Sequence, residues 1–185
     1  AGIFTAQYFG QEDAEGIRHT FRYKIWMGLI LTILAIGIFL FAGGNLIQLY
    51  LNGDSNGGDL STALSSGTGY LYIMLLGLPA FMVLQVYAST LRECGETVIP
   101  MKAGITAVFV HLIFNYLLIY GKFGFPKMGV AGAAIATVLS RYVEVCIVVS
   151  WTHRHKEKNP YIEGLYTTLK IPSDLVKKFF IKGAP

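Results

Sequence analysis

Charge is what this chain has least of. Asp, Glu, Lys and Arg make up 14% of 185 residues, where an ordinary soluble domain carries roughly 25%, and the deficit argues against a soluble globule. Cysteine is as scarce: Cys94 and Cys146 are the only two, too few for a disulfide framework. Both lie near ends read below as cytoplasmic, where thiols stay reduced, and no chemistry is assigned to them. The chain opens Ala1-Gly2-Ile3-Phe4 with no initiator Met, charged leader or signal-peptide pattern, and reads as a piece of a longer protein. Zinc-ligand spacing, a nucleophile elbow, a phosphate loop and paired carboxylates are all missing, so no enzyme and no cofactor are expected.

What is present is apolar. Hydrophobic residues reach 54%, mean hydropathy is +0.52, and the charges sit in short clusters between long stretches with none, as in a polytopic membrane protein. The net charge of +4 is explained by membrane orientation, because the basic residues flank apolar runs, and nucleic acid is not an expected partner. The lipid bilayer is.

Four spans follow. From Ile25 to Leu51 no residue is charged, and a helix of that length reaches about 40 Å, enough to cross a roughly 30 Å core with some tilt. Ser55 to Thr68 is rich in Gly, Ser and Asn and reads as a loop. The second span is expected over 69–92, with Pro79 bending it. The third is expected over 101–120 and the fourth over 128–152. Beyond Trp151 comes a basic stretch, then an amphipathic segment from Ser173 to Lys182. There Leu175, Val176, Phe179 and Phe180 can face lipid and Lys177, Lys178 and Lys182 water, with Ser173 as helix N-cap. The fold class expected is therefore all-α, a multi-pass transmembrane helix bundle, divided into 1–24, the four spans within 25–152, and a linker over 153–185.

The basic residues orient it. Arg18, Arg22 and Lys24, then Arg92 and Lys102, then all seven from Arg154 onward fall on one side, against Lys122 and Lys127 on the other. The positive-inside rule puts residues 1–24, 92–102 and 152–185 in the cytoplasm.

Short motifs stand at the ends of these spans. Gln7-Tyr8-Phe9-Gly10 with Asp13 and Glu15; Leu91-Arg92-x-x-Gly95-x-Thr97-x-x-Pro100-Met101; Asn115-x-x-x-x-Tyr120-Gly121; and Gly129-Val130-x-Gly132-Ala133-Ala134-x-Ala136-Thr137 with Arg141 together resemble the multidrug and toxic compound extrusion (MATE) family of secondary transporters. The resemblance implies a twelve-helix, two-lobe inner-membrane protein, of which this chain is the end of helix 2 through helix 6 plus the inter-lobe linker. The second lobe of the same protein is then a missing partner. It implies antiport, with drugs or organic cations exported against H⁺ or Na⁺. Two other readings are a lipid-linked oligosaccharide flippase of the same superfamily and a non-transporting membrane scaffold. A flippase lobe would carry more basic residues along its cavity, and a scaffold has no use for a histidine near the bilayer midplane.

That histidine is His111. With Asn115 four residues on it shares a helix face, which Gly104 and Ala107 extend as a stripe of small residues. An ionisable group at that depth is costly and faces a cavity or a partner. It reads as a proton or cation site or, equally, as a histidine satisfied by a neighbouring helix. In the resemblance Asn115 matches a position often Asn or Asp, which leaves Na⁺ near Asn115 open, while His111 departs from the usual Asn. Imidazole can exchange a proton near neutral pH and an amide cannot. On the fourth span Thr137, Arg141 and Glu144 form a polar stripe, with Arg141 and Glu144 spaced to pair, either as a structural ion pair or as a gate. Gly132, Ala136 and Ser140 form a small-residue packing surface. Gln85, six residues beyond Pro79, is a further pathway candidate.

Overall fold

The computed structural model describes residues 2–53, 60–168, 171–172, 174–177 and 181. Helix α1 spans Gly2–Gly10, α2 Ala14–Gly53, α3 Leu60–Glu93, α4 Val98–Tyr120 and α5 Val130–Arg154, and a 3-10 turn follows at Pro160–Ile162. Among the described residues there is no strand, and α2 to α5 are each long and apolar enough to cross a membrane.

Two boundaries differ from the sequence reading. Helix α2 starts eleven residues before the charge-free run, because Asp13 caps it: its Oδ1 accepts from the backbone N–H groups of Glu15 and Gly16 at 3.1 and 3.0 Å. Arg18, Arg22 and Lys24 end the apolar run without ending the helix, since each finds a partner. Helix α3 begins at Leu60, so residues 60–68 are helix and not the expected loop. Hydroxyls that mark a loop in water can be satisfied inside a helix, as Thr68 shows by donating back to Leu64 O at 2.7 Å. Asp54 and the rest of 54–59 lie outside the described residues. So do Ser173, Lys178, Phe179, Phe180 and Lys182 of the expected amphipathic segment, of which residues 174–177 and 181 are helical.

In space the helices run α2, α3, α5, α4: α3 packs on both α2 and α5, while α4 packs on α5 and barely meets α3. Helix α3 continues through Pro79. Next to it, Tyr142 of α5 donates its hydroxyl to Leu76 O at 3.0 Å. Small residues set the close approach of α5 to α4. A Cβ on Gly132 would lie 2.8 Å from Leu118 O, so the stripe of Gly132, Ala136 and Ser140, all buried, is a packing seam. Helix α4 ends at Gly121 in the left-handed conformation, φ 65°, with its N–H on Leu117 O.

The densest core lies at the Lys/Arg-rich end. Phe21 of α2 meets Tyr87 of α3 edge to face at 5.0 Å between centroids, and Leu91, Val148, Tyr161 and Leu165 are fully enclosed around them. Toward the other end α2 leaves Leu31, Ile33, Leu34 and Phe41 exposed, surface suited to lipid or to further helices.

Candidate functional site

Helix α4 presents His111 and Asn115 to α5, away from Phe109, Leu112, Ile113 and Tyr116, which are exposed. Both polar side chains are half-buried. Between α4 and α5 lies a cavity of about 320 Å³ lined by Gly104, Ala107, His111, Thr137, Arg141 and Glu144 among others. All six were singled out from the sequence, and Gly104 keeps the opening clear, since a Cβ there would lie 3.5 Å from Glu144 Oε1. Arg141 donates to Glu144 Oε2 at 3.0 Å, with side-chain exposures of 45% and 11%, so the expected pair forms with its acid buried and its base open to the cavity.

The hydrogen bonds around His111 decide where protons sit. Thr137 Oγ1 donates to Ala133 O at 2.9 Å, and a hydroxyl has one proton. Toward His111 Nε2, 3.1 Å away, the same oxygen is then an acceptor, and Nε2 carries hydrogen. The Asn115 amide, whose Nδ2 lies 3.1 Å from that nitrogen, must in that state turn its oxygen to it. When Nε2 has no proton, Nδ2 donates instead. Amide oxygen and nitrogen exchange places by a half-turn. In either orientation one Asn115 atom remains unmatched; with Nδ2 on the imidazole it is the buried Oδ1.

Gln85 is not part of this site. It is exposed and lines a separate, largely apolar opening of about 450 Å³ between α2 and α3, with Lys24, Thr32 and Glu93. Cys94 is buried, and burial, then the neighbouring Glu93 carboxylate, push its thiol up to about 12. Cys146 is exposed.

Sequence reasoning missed a second polar assembly, where the segment after α5 returns across α2. Arg18 Nε donates to Tyr161 O at 3.3 Å, Arg22 Nε to Leu165 O at 3.1 Å and Arg22 Nη2 to Gly164 O at 2.7 Å. Lys24 Nζ bonds Ser89 Oγ, Thr90 Oγ1 and Glu93 Oε2 of α3. Tyr161 is anchored by donating to Asn159 Oδ1 at 3.1 Å, and Tyr87 bonds His153 and Tyr166. The i, i+4 spacing of Arg18 and Arg22 and the Asn159-Pro160 turn were the available signals.

A family model described as MatE matches residues 1–117. The chain is 35% identical over 143 residues, 77% of its length and 30% of the relative's, to a probable multidrug resistance protein NorM of Thermotoga maritima. It is 29% identical over 181 residues to a probable multidrug resistance protein NorM of Photorhabdus laumondii, covering 97% of this chain and 37% of that one. Similarity to the multidrug resistance protein MdtK of Pectobacterium atrosepticum is 26% over 149 residues, 80% of this chain and 31% of that one. The chain thus spans between 30% and 37% of the length of these curated relatives. A match over more than half of its residues, on a frame of four membrane-length helices, carries the conclusion that the chain belongs to the multidrug and toxic compound extrusion family.

Proposed function

We propose that this chain is part of a secondary antiporter that exports drugs or other organic cations against an inward cation, and that His111, Asn115 and Thr137 carry the coupling proton. The relatives bear the name multidrug resistance protein, which supports the substrate class. The observation that carries the ion is the trio itself: His111 Nε2 meets both the Thr137 hydroxyl oxygen and the Asn115 side-chain amide, and an amide half-turn can answer a proton gained or lost there. A Na⁺ ion wants several oxygens, and here Asn115 turns its Nδ2 toward the ring nitrogen that Thr137 Oγ1 also meets. Each inward proton supplies about 2.3 kcal/mol per 100 mV of potential. The Lys/Arg-rich end faces the cytoplasm in this reading, with residues 1–24, 92–102 and 152–185 there.

Against the flippase alternative stands the pairing of Arg141 with Glu144, which leaves the cavity with no surplus positive charge for an anionic lipid-linked substrate. The test is drug export by vesicles carrying the complete transporter, measured across pH. Asn115→Ala should abolish or severely reduce export at normal abundance, and His111→Asn should remove the pH dependence. Full export with unchanged pH dependence in both variants would overturn the proposal.

A further inference from the structure

Beside the strap that crosses α2 is an opening of about 630 Å³ whose lining includes Glu15, Arg18, His19, Arg22, Thr167 and Thr168. Its two guanidinium groups lie one helical turn apart. Arg22 is buried at 4% exposure and held by the carbonyls of Gly164 and Leu165. Arg18 uses its Nε on Tyr161 O, and its terminal N–H groups have no acceptor among the described residues. The carboxylate on this lining belongs to Glu15. Its side chain is 76% exposed and lies 3.6 Å from His19 Nε2, at the rim of the opening. Among the described residues the segment that closes the opening brings hydroxyls to the lining: Thr167 Oγ1 donates to Gly164 O, and Gly164 keeps the Arg18 guanidinium carbon within 3.9 Å of where a Cβ would stand.

We infer that this opening is a binding site for a phosphate group, with Arg18 as its forked donor and Arg22 as its fixed second charge. A guanidinium with terminal N–H groups unused presents the bidentate geometry that phosphate oxygens accept. The depth favours a phospholipid headgroup as the source. Arg18 and Arg22 sit just before Ile25, where the charge-free run of α2 begins, which is the height of the interface, and basic pockets at that height take anionic headgroups. The site does not depend on the transport reading above. Soluble phosphate offers the same chemistry.

The complete protein, purified in neutral detergent, tests it through its unfolding midpoint. Phosphatidylglycerol should raise the midpoint by several degrees while phosphatidylcholine at the same mole fraction leaves it in place, since a ligand of the native state stabilises it. Arg18→Gln should lose at least half of that rise and Lys122→Gln, at the opposite end, none. Thr168→Glu leaves the Arg18 and Arg22 bonds intact and places a negative charge on the lining, so it keeps the test valid even where Arg18→Gln fails to fold. A rise given by sodium phosphate and not by sodium chloride at equal ionic strength, lost in the same variants, assigns the site to soluble phosphate. No rise with either probe, or an equal rise in wild type, Arg18→Gln and Thr168→Glu, overturns the inference.

Discussion

His111 Nε2 lies 3.1 Å from Thr137 Oγ1, and the hydroxyl's only proton is already given to Ala133 O. The threonine therefore holds the imidazole in place as a hydrogen-bond partner of Nε2. Thr137→Val, close in shape, removes that partner, worth about 1 kcal/mol, and should reduce export by vesicles of the complete transporter at normal abundance. Thr137→Ser, which keeps the hydroxyl, should retain export. A Val variant that exports like wild type would show that the contact has no part in transport.

Two glycines allow a comparison within one protein. Gly132→Ala pushes a methyl to 2.8 Å from Leu118 O, a backbone atom, whereas a Cβ on Gly37 of α2 meets nothing within 4 Å. Alanine is the better helix former by about 1 kcal/mol, and overpacking costs about 1–3 kcal/mol. The Gly132 variant should lose thermal stability and the Gly37 variant hold or gain it. Equal midpoints would show that α4 and α5 can move apart freely.

The four spans and the α4–α5 site were legible because both rest on local patterns: charge-free runs for the spans, and i, i+4 spacing for His111 with Asn115. The strap was not legible. Arg18 and Arg22 read as topogenic charges, and nothing at residues 161 to 165 advertises that their carbonyls are the acceptors. Residues 60–68 failed for a related reason, since Ser, Thr and Gly signal a loop in water and lose that meaning beside other helices. Gln85 was placed by its distance from Pro79, which does not fix the neighbouring helix, and it faces α2.

The Lys24–Glu93 pair joins α2 to α3 with side-chain exposures of 10% and 21%. Lys24→Met or Glu93→Gln alone leaves the other partner half-buried and should cost roughly 2–3 kcal/mol. The double variant should recover part of that loss in a thermal-denaturation cycle. Strictly additive losses would assign the pair no coupling.

Cys94 is a poor topology probe, because it is buried and its thiol is pushed up to about 12. At pH 8 only about one thiol in ten thousand is thiolate, the reactive form, so impermeant maleimide should leave it unmodified from either side. In a background lacking both native cysteines, Glu163→Cys and Lys122→Cys, at exposed positions, should label from opposite faces of intact cells, with Lys122→Cys outside. Labelling of Glu163→Cys from outside would invert the orientation.

The hydrogen bonds from Arg22 to Gly164 and Leu165 bridge 142 and 143 residues of sequence. At a synthesis rate of about 5–20 residues per second, the arginine waits roughly 7–30 s for its acceptors to leave the ribosome. During that wait the basic turn of α2 is without the strap's carbonyls. A nascent chain halted at Arg154 has all four described spans behind it and still lacks the strap. These bonds therefore close only once residues 161 to 165 have emerged, later than all four described spans.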